Sequence, residues 1–294
     1  MTDFVLVQGA WIAGWYWRPI TQALRKLGHE AYAPTLTGLG ERIHLMSPSI
    51  NLDTHIADVV NLIEWEELSD IVLVGHSYGG MVITGVADAL PDRIRSLVYL
   101  DAFVPKNGEA LLNFLPAGGP PPKVVNEYCL EPLPAAFFGA TAEVAALVDA
   151  STTPMPIACF TQPLKLSGDI DRVKQKTYIY CNVPAPTTFT QFYEKLKDDR
   201  DWKVHTLPCT HIVQIDMPMQ LTELLVQAIK LRDKAFFKAP ADRRRKSGVR
   251  RGHRPTSSAR IIRLPDRAQL PCGAPWPAWL AHPAPQGRRK RWER

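Results

Sequence analysis

The sequence has no long apolar run. Nowhere in its 294 residues do about 18 consecutive apolar residues occur, the length a spanning helix needs, so no membrane segment is expected. It also has no Cys-x-x-Cys pair. The five cysteines, Cys129, Cys159, Cys181, Cys209 and Cys272, are odd in number and widely spaced, which argues against a disulfide framework and against a zinc site. Met1-Thr2-Asp3-Phe4 has no basic stretch and no small-residue cleavage site, so the expected location is the cytoplasm. Internal repeats are absent too. With 46% hydrophobic and 22% charged residues, usage is that of a globular chain and excludes collagen-like, coiled-coil and wholly disordered classes.

The charge is divided unevenly. Residues 235–294 hold 16 of the 35 Lys and Arg but 3 of the 29 Asp and Glu, a surplus of 13 positive charges. Residues 1–234 hold the other 19 basic and 26 acidic residues, a surplus of 7 negative charges. The basic segment carries Arg243-Arg244-Arg245-Lys246, Arg250-Arg251 and Arg288-Arg289-Lys290-Arg291, with eight prolines from Pro240 to Pro285. It repels itself and has little apolar surface to bury, so it is expected to be a disordered tail. Arginine clusters can neutralise phosphates. The tail has no binding fold and few aromatic residues, and a nucleic-acid partner is not expected.

The body, 1–234, alternates short apolar runs with helical patterns. Phe4–Val7 and Ile71–Val74 read as strands buried on both faces, and Ala31–Ala33, Ser96–Leu100, Thr177–Tyr180 and Lys203–Leu207 as further strands. Helices are expected from Trp17 to Leu27, from a cap at Asp53 to about Trp65, from Tyr78 to Leu90 and from Met219 to Arg232. This alternation predicts an α/β domain with a mostly parallel sheet and helices on both faces. Residues 104–168, rich in Pro, Gly and Ala, break the rhythm and are expected to form an inserted lid.

Gly75-His76-Ser77-Tyr78-Gly79-Gly80 contains the pattern Gly-x-Ser-x-Gly. The strand-like Ile71–Val74 leads in and the helical Met81–Thr84 leads out, which is the setting of a nucleophile elbow. Such a turn strains the serine backbone and requires glycine beside it. A serine hydroxyl needs a base, and on this type of turn the order along the chain is serine, acid, histidine. Of the eight histidines, only His205 and His211 follow Ser77 within the body. His205 lies inside a strand. His211 lies in the loop after it and is the expected base.

For the acid, the loop after Thr177–Tyr180 offers no carboxylate. Asp101, at the end of Ser96–Leu100, is expected to fill the role by pairing with His211 Nδ1–H and leaving Nε2 free; Asp216 and Glu194 are weaker candidates. An oxyanion hole needs two backbone N–H groups. Tyr78 and Ala10, in the loop Gln8-Gly9-Ala10-Trp11, are the expected donors. Trp11, Phe103 and Phe160 are candidate substrate contacts, although packing beneath the lid is the favoured reading for Trp11, Trp15 and Trp17. Phe114, Phe137, Phe138 and Met155 suggest an apolar pocket or the lid's own core.

With these motifs the sequence resembles the α/β-hydrolase superfamily, in the branch of bacterial esterases, plant methylesterases and hydroxynitrile lyases. The matching stretches are Phe4–Trp17, Pro34–Arg42, Leu52–Leu62, Val72–Asp88 and Leu97–Pro105, with weaker similarity to about Leu231. The resemblance implies hydrolysis of small-to-medium carboxylic esters by a Ser–His–acid triad, without metal or organic cofactor. Two departures stand out. The family's His-Gly in the first loop is Gln8-Gly9 here, and its Gly-His-Asp around the base is Thr210-His211-Ile212. They predict a stiffer base loop and modest activity. A cyanohydrin lyase is the first alternative, but such lyases carry a lysine where Ile212 stands. A non-catalytic binder on the same fold is the second.

Overall fold

The computed structural model describes residues 1–115 and 123–229. Six strands form a parallel sheet: β1 (Asp3–Val7), β2 (Glu30–Tyr32), β3 (Ile71–His76), β4 (Ile94–Leu100), β8 (Lys176–Cys181) and β9 (Trp202–Leu207), in the order β2-β1-β3-β4-β8-β9. Several strands run a residue or two beyond the apolar stretches, and the added residues Gly75, His76, Ile94 and Cys181 are buried as well.

Alternate side chains of each strand face opposite layers. Val5, Val7, Leu73, Tyr99, Tyr178 and Tyr180 pack against α2 (Leu52–Trp65), α3 (Gly79–Ala89) and α6 (Thr190–Leu196). Phe4, Leu6, Val72, Val74, Val98, Leu100 and Ile179 pack against α1 (Arg18–Lys26) and α8 (Pro218–Gln227). Each such fully buried large side chain contributes about 1.5–3 kcal/mol.

Two helix ends differ from expectation. Asn51, not Asp53, caps α2: its side chain accepts from Thr54 N at 3.1 Å, and the Thr54 hydroxyl accepts from Asn51 N at 3.3 Å. Asp53 lies in the first turn, where it complements the helix dipole instead. The closing helix α8 starts at Pro218 and ends at Gln227, short of the expected Arg232, and a separate short helix, α7 (Val213–Asp216), precedes it across the non-helical Met217. Residues 230–232, the boundary at 235 and the expected disorder of 235–294 lie outside the described residues. Among the described residues no helix is long and apolar enough to cross a membrane.

Between β4 and β8 the chain leaves the sheet. This insertion carries a three-stranded antiparallel sheet of β5 (Val124–Val125), β6 (Cys129–Leu130) and β7 (Met155–Pro156), together with α4 (Ala142–Asp149) and α5 (Ala158–Thr161). Leu130, Met155, Cys159 and Phe160 join the core on the α2–α3 face. Ala135, Ala145 and Val148 form a third cluster with Ile12, Tyr16 and Ile212. That cluster joins the loop after β1, the insertion and the loop after β9.

The sheet order reverses between β1 and β3, the place where an open α/β sheet leaves a crevice at its carboxyl edge. Helix α3 starts there and passes very close to the chain after β4: a Cβ on Gly80 would sit 2.1 Å from the Phe103 carbonyl oxygen. Gly80→Ala should therefore push the helix away and lower stability by about 1–3 kcal/mol, read from the urea unfolding midpoint. An unchanged midpoint would show that this approach is looser than it looks.

Candidate functional site

Ser77 sits immediately after β3 with φ of +54°, a left-handed conformation that costs a non-glycine residue about 1–3 kcal/mol. The turn is held by three backbone bonds: Ser77 N to Leu100 O at 3.2 Å, Gly80 N to Ser77 O at 3.0 Å and Phe103 N to Ser77 O at 3.3 Å. The flanking glycines are sterically required. A Cβ on Gly75 would lie 2.5 Å from Gly79 O, and one on Gly79 would lie 2.7 Å from Val7 O. Gly75 is required by the tightness of the turn itself, and Gly79 by the turn's close approach to the end of β1.

Tyr78 follows at the start of α3. Its phenol is fully buried and lies 2.9 Å from His55 Nδ1, while His55 Nε2 donates to Thr37 O at 3.0 Å. Among the described residues neither the Tyr78 nor the Ala10 amide N–H has a hydrogen-bond partner. Ala10 belongs to the loop after β1, which Gln8 anchors from beneath. Oriented with its nitrogen toward Pro34, the buried Gln8 amide donates to Pro34 O at 2.9 Å and accepts from Leu36 N at 2.9 Å. The glutamine that replaces the family's histidine therefore keeps the loop tied to residues 34–36.

Asp101 stands at the end of β4 with φ of +40° and no exposed surface. Its Oδ1 accepts from Cys181 N at 3.1 Å, and its Oδ2 lies 2.6 Å from His211 Nδ1. Burial pushes the Asp101 carboxyl well above the ordinary carboxylate range, and the Cys181 amide pulls it back. Burial drives His211 down to about 3. With the shared proton on Nδ1, the Nε2 lone pair is free. The structure brings together the two residues that the sequence pairs across 110 positions. The weaker acid candidates are engaged elsewhere: Asp216 accepts from Thr210 N at 3.0 Å and Thr210 Oγ1 at 2.6 Å, and Glu194 pairs with Lys197 on α6. Thr210, which replaces the family's glycine, thus uses Asp216 to shape the loop that carries His211.

The imidazole of His211 is packed between rings. Phe189 stacks on it at 4.7 Å and 10°, Phe138 lies at 5.2 Å and His76 at 4.5 Å. His76 Nε2 also donates to the His211 carbonyl at 3.0 Å. The residue adjoining Ser77 therefore grips the backbone of the residue that carries the base. Burial, then the neighbouring His211, lowers the His76 pKa and keeps the ring neutral. Sequence reasoning assigned His76 and Phe189 no role. His76 had a signal in its place beside Ser77, whereas nothing in the sequence pairs Phe189 with His211.

Ser77 and His211 line one small cavity of about 50 Å³, together with Gly9, Ala10, Trp11, Tyr16 and His76 from the sheet side. Leu133, Ala135, Phe138, Val148 and Thr152 close it from the insertion. Among the described residues the Ser77 hydroxyl has no protein hydrogen-bond partner, as is common where catalytic contacts tighten only around a ligand. Of the expected substrate contacts, Trp11 lines this cavity but Phe103 and Phe160 do not. Phe103 is drawn into a cluster with Phe114, Phe189 and Phe192, and Phe160 packs behind Trp11 and Tyr78. Both are core residues because burying a phenyl ring against other rings outweighs exposing it to a small cavity. His205, on β9, is not part of the lining. Among the described residues no group of three His, Cys, Asp or Glu side chains is arranged to hold a metal ion.

Ser77 on its strained turn, His211 of the buried histidine–carboxylate pair and Ala10 all line this cavity, and Tyr78 adjoins Ser77 in the chain. The family model described as "Alpha/beta hydrolase family" matches residues 4–224. The chain belongs to that family. It is similar to a carbendazim hydrolyzing esterase of Nocardioides sp., 44% identical over 239 residues, covering 76% of this chain and 98% of that protein. It is also similar to salicylic acid-binding protein 2 of Nicotiana tabacum, 30% identical over 155 residues, covering 46% of this chain and 56% of that protein. Among solved structures, an extracellular alpha/beta-hydrolase from a Paenibacillus species superposes with a TM-score of 0.66 at 24% identity, covering 78% of this chain and 99% of that one. The fold is that of the α/β hydrolases, and the chain is a hydrolase.

Because burial lowers His211, its ring should stay neutral as the pH falls through 6.5, the ordinary histidine value, and take a proton only in more acidic solution. Nitrogen chemical shifts of the imidazole in a pH titration would show this directly. A midpoint at or above 6.5 would mean that the Asp101 carboxylate outweighs burial.

Proposed function

We propose that this hydrolase is a serine esterase cleaving small-to-medium, uncharged carboxylic esters, with Ser77, His211 and Asp101 as its catalytic residues. The observation that carries the reading is the 2.6 Å contact between His211 Nδ1 and Asp101 Oδ2 beside the strained Ser77. His211 Nε2 takes the Ser77 proton as Oγ attacks the ester carbonyl, and the amides of Ala10 and Tyr78 hold the oxyanion. The imidazolium, stabilised by Asp101, then gives its proton to the departing alcohol. Water, activated by the same histidine, releases the acid from the acyl-enzyme.

The cavity wall favours uncharged substrates. Trp11, Tyr16 and Phe138 supply aromatic surface, and among the described residues no Lys, Arg, Asp or Glu lines it. Ile212, buried beside the base, provides no cation for a cyanide leaving group, which separates this reading from a cyanohydrin lyase. Carbendazim, the compound in the name of the Nocardioides relative, is the first candidate to test, alongside simple aryl and methyl esters.

A drug-sized ligand needs about 300–1,000 Å³, and the cavity has about 50 Å³. The insertion is therefore read as a lid over a catalytic domain of residues 1–234, and it opens to admit substrate. The expected location remains the cytoplasm.

Ser77→Ala should lower kcat by about 10⁶ and Asp101→Asn by about 10⁴, each with circular dichroism like that of the wild type. Ester turnover by purified Ser77→Ala at the wild-type rate would end the serine mechanism. A loss below about tenfold in Asp101→Asn, with a large one in Asp216→Asn, would move the acid.

A further inference from the structure

Trp11 is the one bulky residue of the first loop in the left-handed region, with φ of +65°. A tryptophan stays there only when its surroundings over-determine it. Here they do so from the insertion. The indole Nε1–H donates to Leu130 O at 3.1 Å, and the Trp11 carbonyl accepts from Thr153 N at 2.9 Å. Leu130 pairs with Met155 in the inserted sheet and Thr153 lies two residues before Met155, so both anchors belong to the insertion. Phe160 packs on the indole at 5.4 Å, and the Thr153 hydroxyl accepts from Gly40 N at 3.1 Å.

We propose that the inserted sheet sets the oxyanion hole through Trp11, a positioning residue clasped at both its indole and its carbonyl. The inference rests on Ser77 being the nucleophile and on Ala10 being an oxyanion donor. Ala10 is joined to Trp11 by one peptide, and its amide is among those left unpartnered. Released from the clasp, Trp11 relaxes toward negative φ and swings the Ala10–Trp11 peptide; Ala10 shifts with it, and the neighbouring Gly9–Ala10 peptide, which carries the Ala10 N–H, turns off the cavity. The cavity of about 50 Å³ is well below the roughly 300–1,000 Å³ of a drug-sized site, and on the lid reading substrate enters by displacing the insertion. Opening therefore loosens the hole, and closing over the substrate restores it. The hole is complete only when the site is covered, which couples catalysis to closure over the bound ester.

The test uses Trp11→Phe, which keeps an aromatic ring and loses the N–H. It also uses an aryl trifluoromethyl ketone, to which Ser77 Oγ adds while its proton passes to His211 and the ketone oxygen becomes an oxyanion. Loss of one positioning hydrogen bond should lower kcat about tenfold and weaken the ketone by a similar factor, with KM within about twofold. A lost substrate contact would raise KM instead. Coupling is reciprocal, so in the full-length wild-type protein ketone binding should slow hydrogen exchange at the Thr153 amide.

Trp11→Phe with kcat and ketone affinity both within about twofold of wild type would overturn the clasp. So would Thr153 exchange that is indifferent to the ketone, and that measurement decides the matter if the variant does not fold. A wild-type enzyme that fails to bind the ketone, with Ser77→Ala still turning over ester, would sink the nucleophile reading and the clasp with it.

Discussion

The site depends on the burial of one carboxylate. Asp101 has no exposed surface, and an ionised carboxyl in such a place is stable only when its oxygens are bonded. The Cys181 amide meets one oxygen and His211 the other. The consequence reaches across the chain. Because Asp101 needs His211, the loop after β9 is pulled over the ends of β4 and β8, and the imidazole is fixed in the orientation that frees Nε2. Phe189, Phe138 and His76 then pack around the ring. Water is kept from the pair, which strengthens the bond that organised them.

Much of this was legible because it follows from spacing and order. Ser77 is marked by glycines that the turn requires, and His211 by its place after the last strand. Asp101 is the carboxylate at the end of a strand whose alternative loop has none. The parallel sheet follows from apolar runs short enough to be strands buried on both faces. What was not legible arises from contacts that spacing does not encode. Asn51 displaces Asp53 as a cap because Thr54 stands three residues on and closes a reciprocal pair, whereas Asp53 gains as much from the dipole inside the first turn. Phe103 and Phe160 look like pocket residues in sequence, yet other rings compete for them. The orientation of Gln8 depends on where residues 34–36 pass.

Backbone strain was legible at Ser77, from its turn motif, but not at Trp11 or Asp101. Trp11, Ser77 and Asp101 are all in the left-handed region, and all follow the carboxyl ends of neighbouring strands, β1, β3 and β4. None is glycine, because each must supply something glycine lacks: an indole, a hydroxyl, a carboxylate. At about 1–3 kcal/mol apiece the three together cost an appreciable part of the roughly 5–15 kcal/mol that stabilises a domain.

The sheet makes that cost tolerable in a particular way. Each strained residue is preceded by a strand whose core-facing side chains are completely buried, so the strand cannot retreat to relieve the turn. Each is also bonded from a different direction: Ser77 by Leu100 and Phe103, Asp101 by Ile179 and His211, Trp11 by Leu130 and Thr153. The first two sets of anchors lie on the sheet itself, which is rigid, or on the loops at its edge. The third lies on the insertion, whose sheet has strands of only two residues each. Elements that short have little stability of their own. The strain at Ser77 and Asp101 is therefore permanent, whereas the strain at Trp11 lasts only as long as the insertion stays in place.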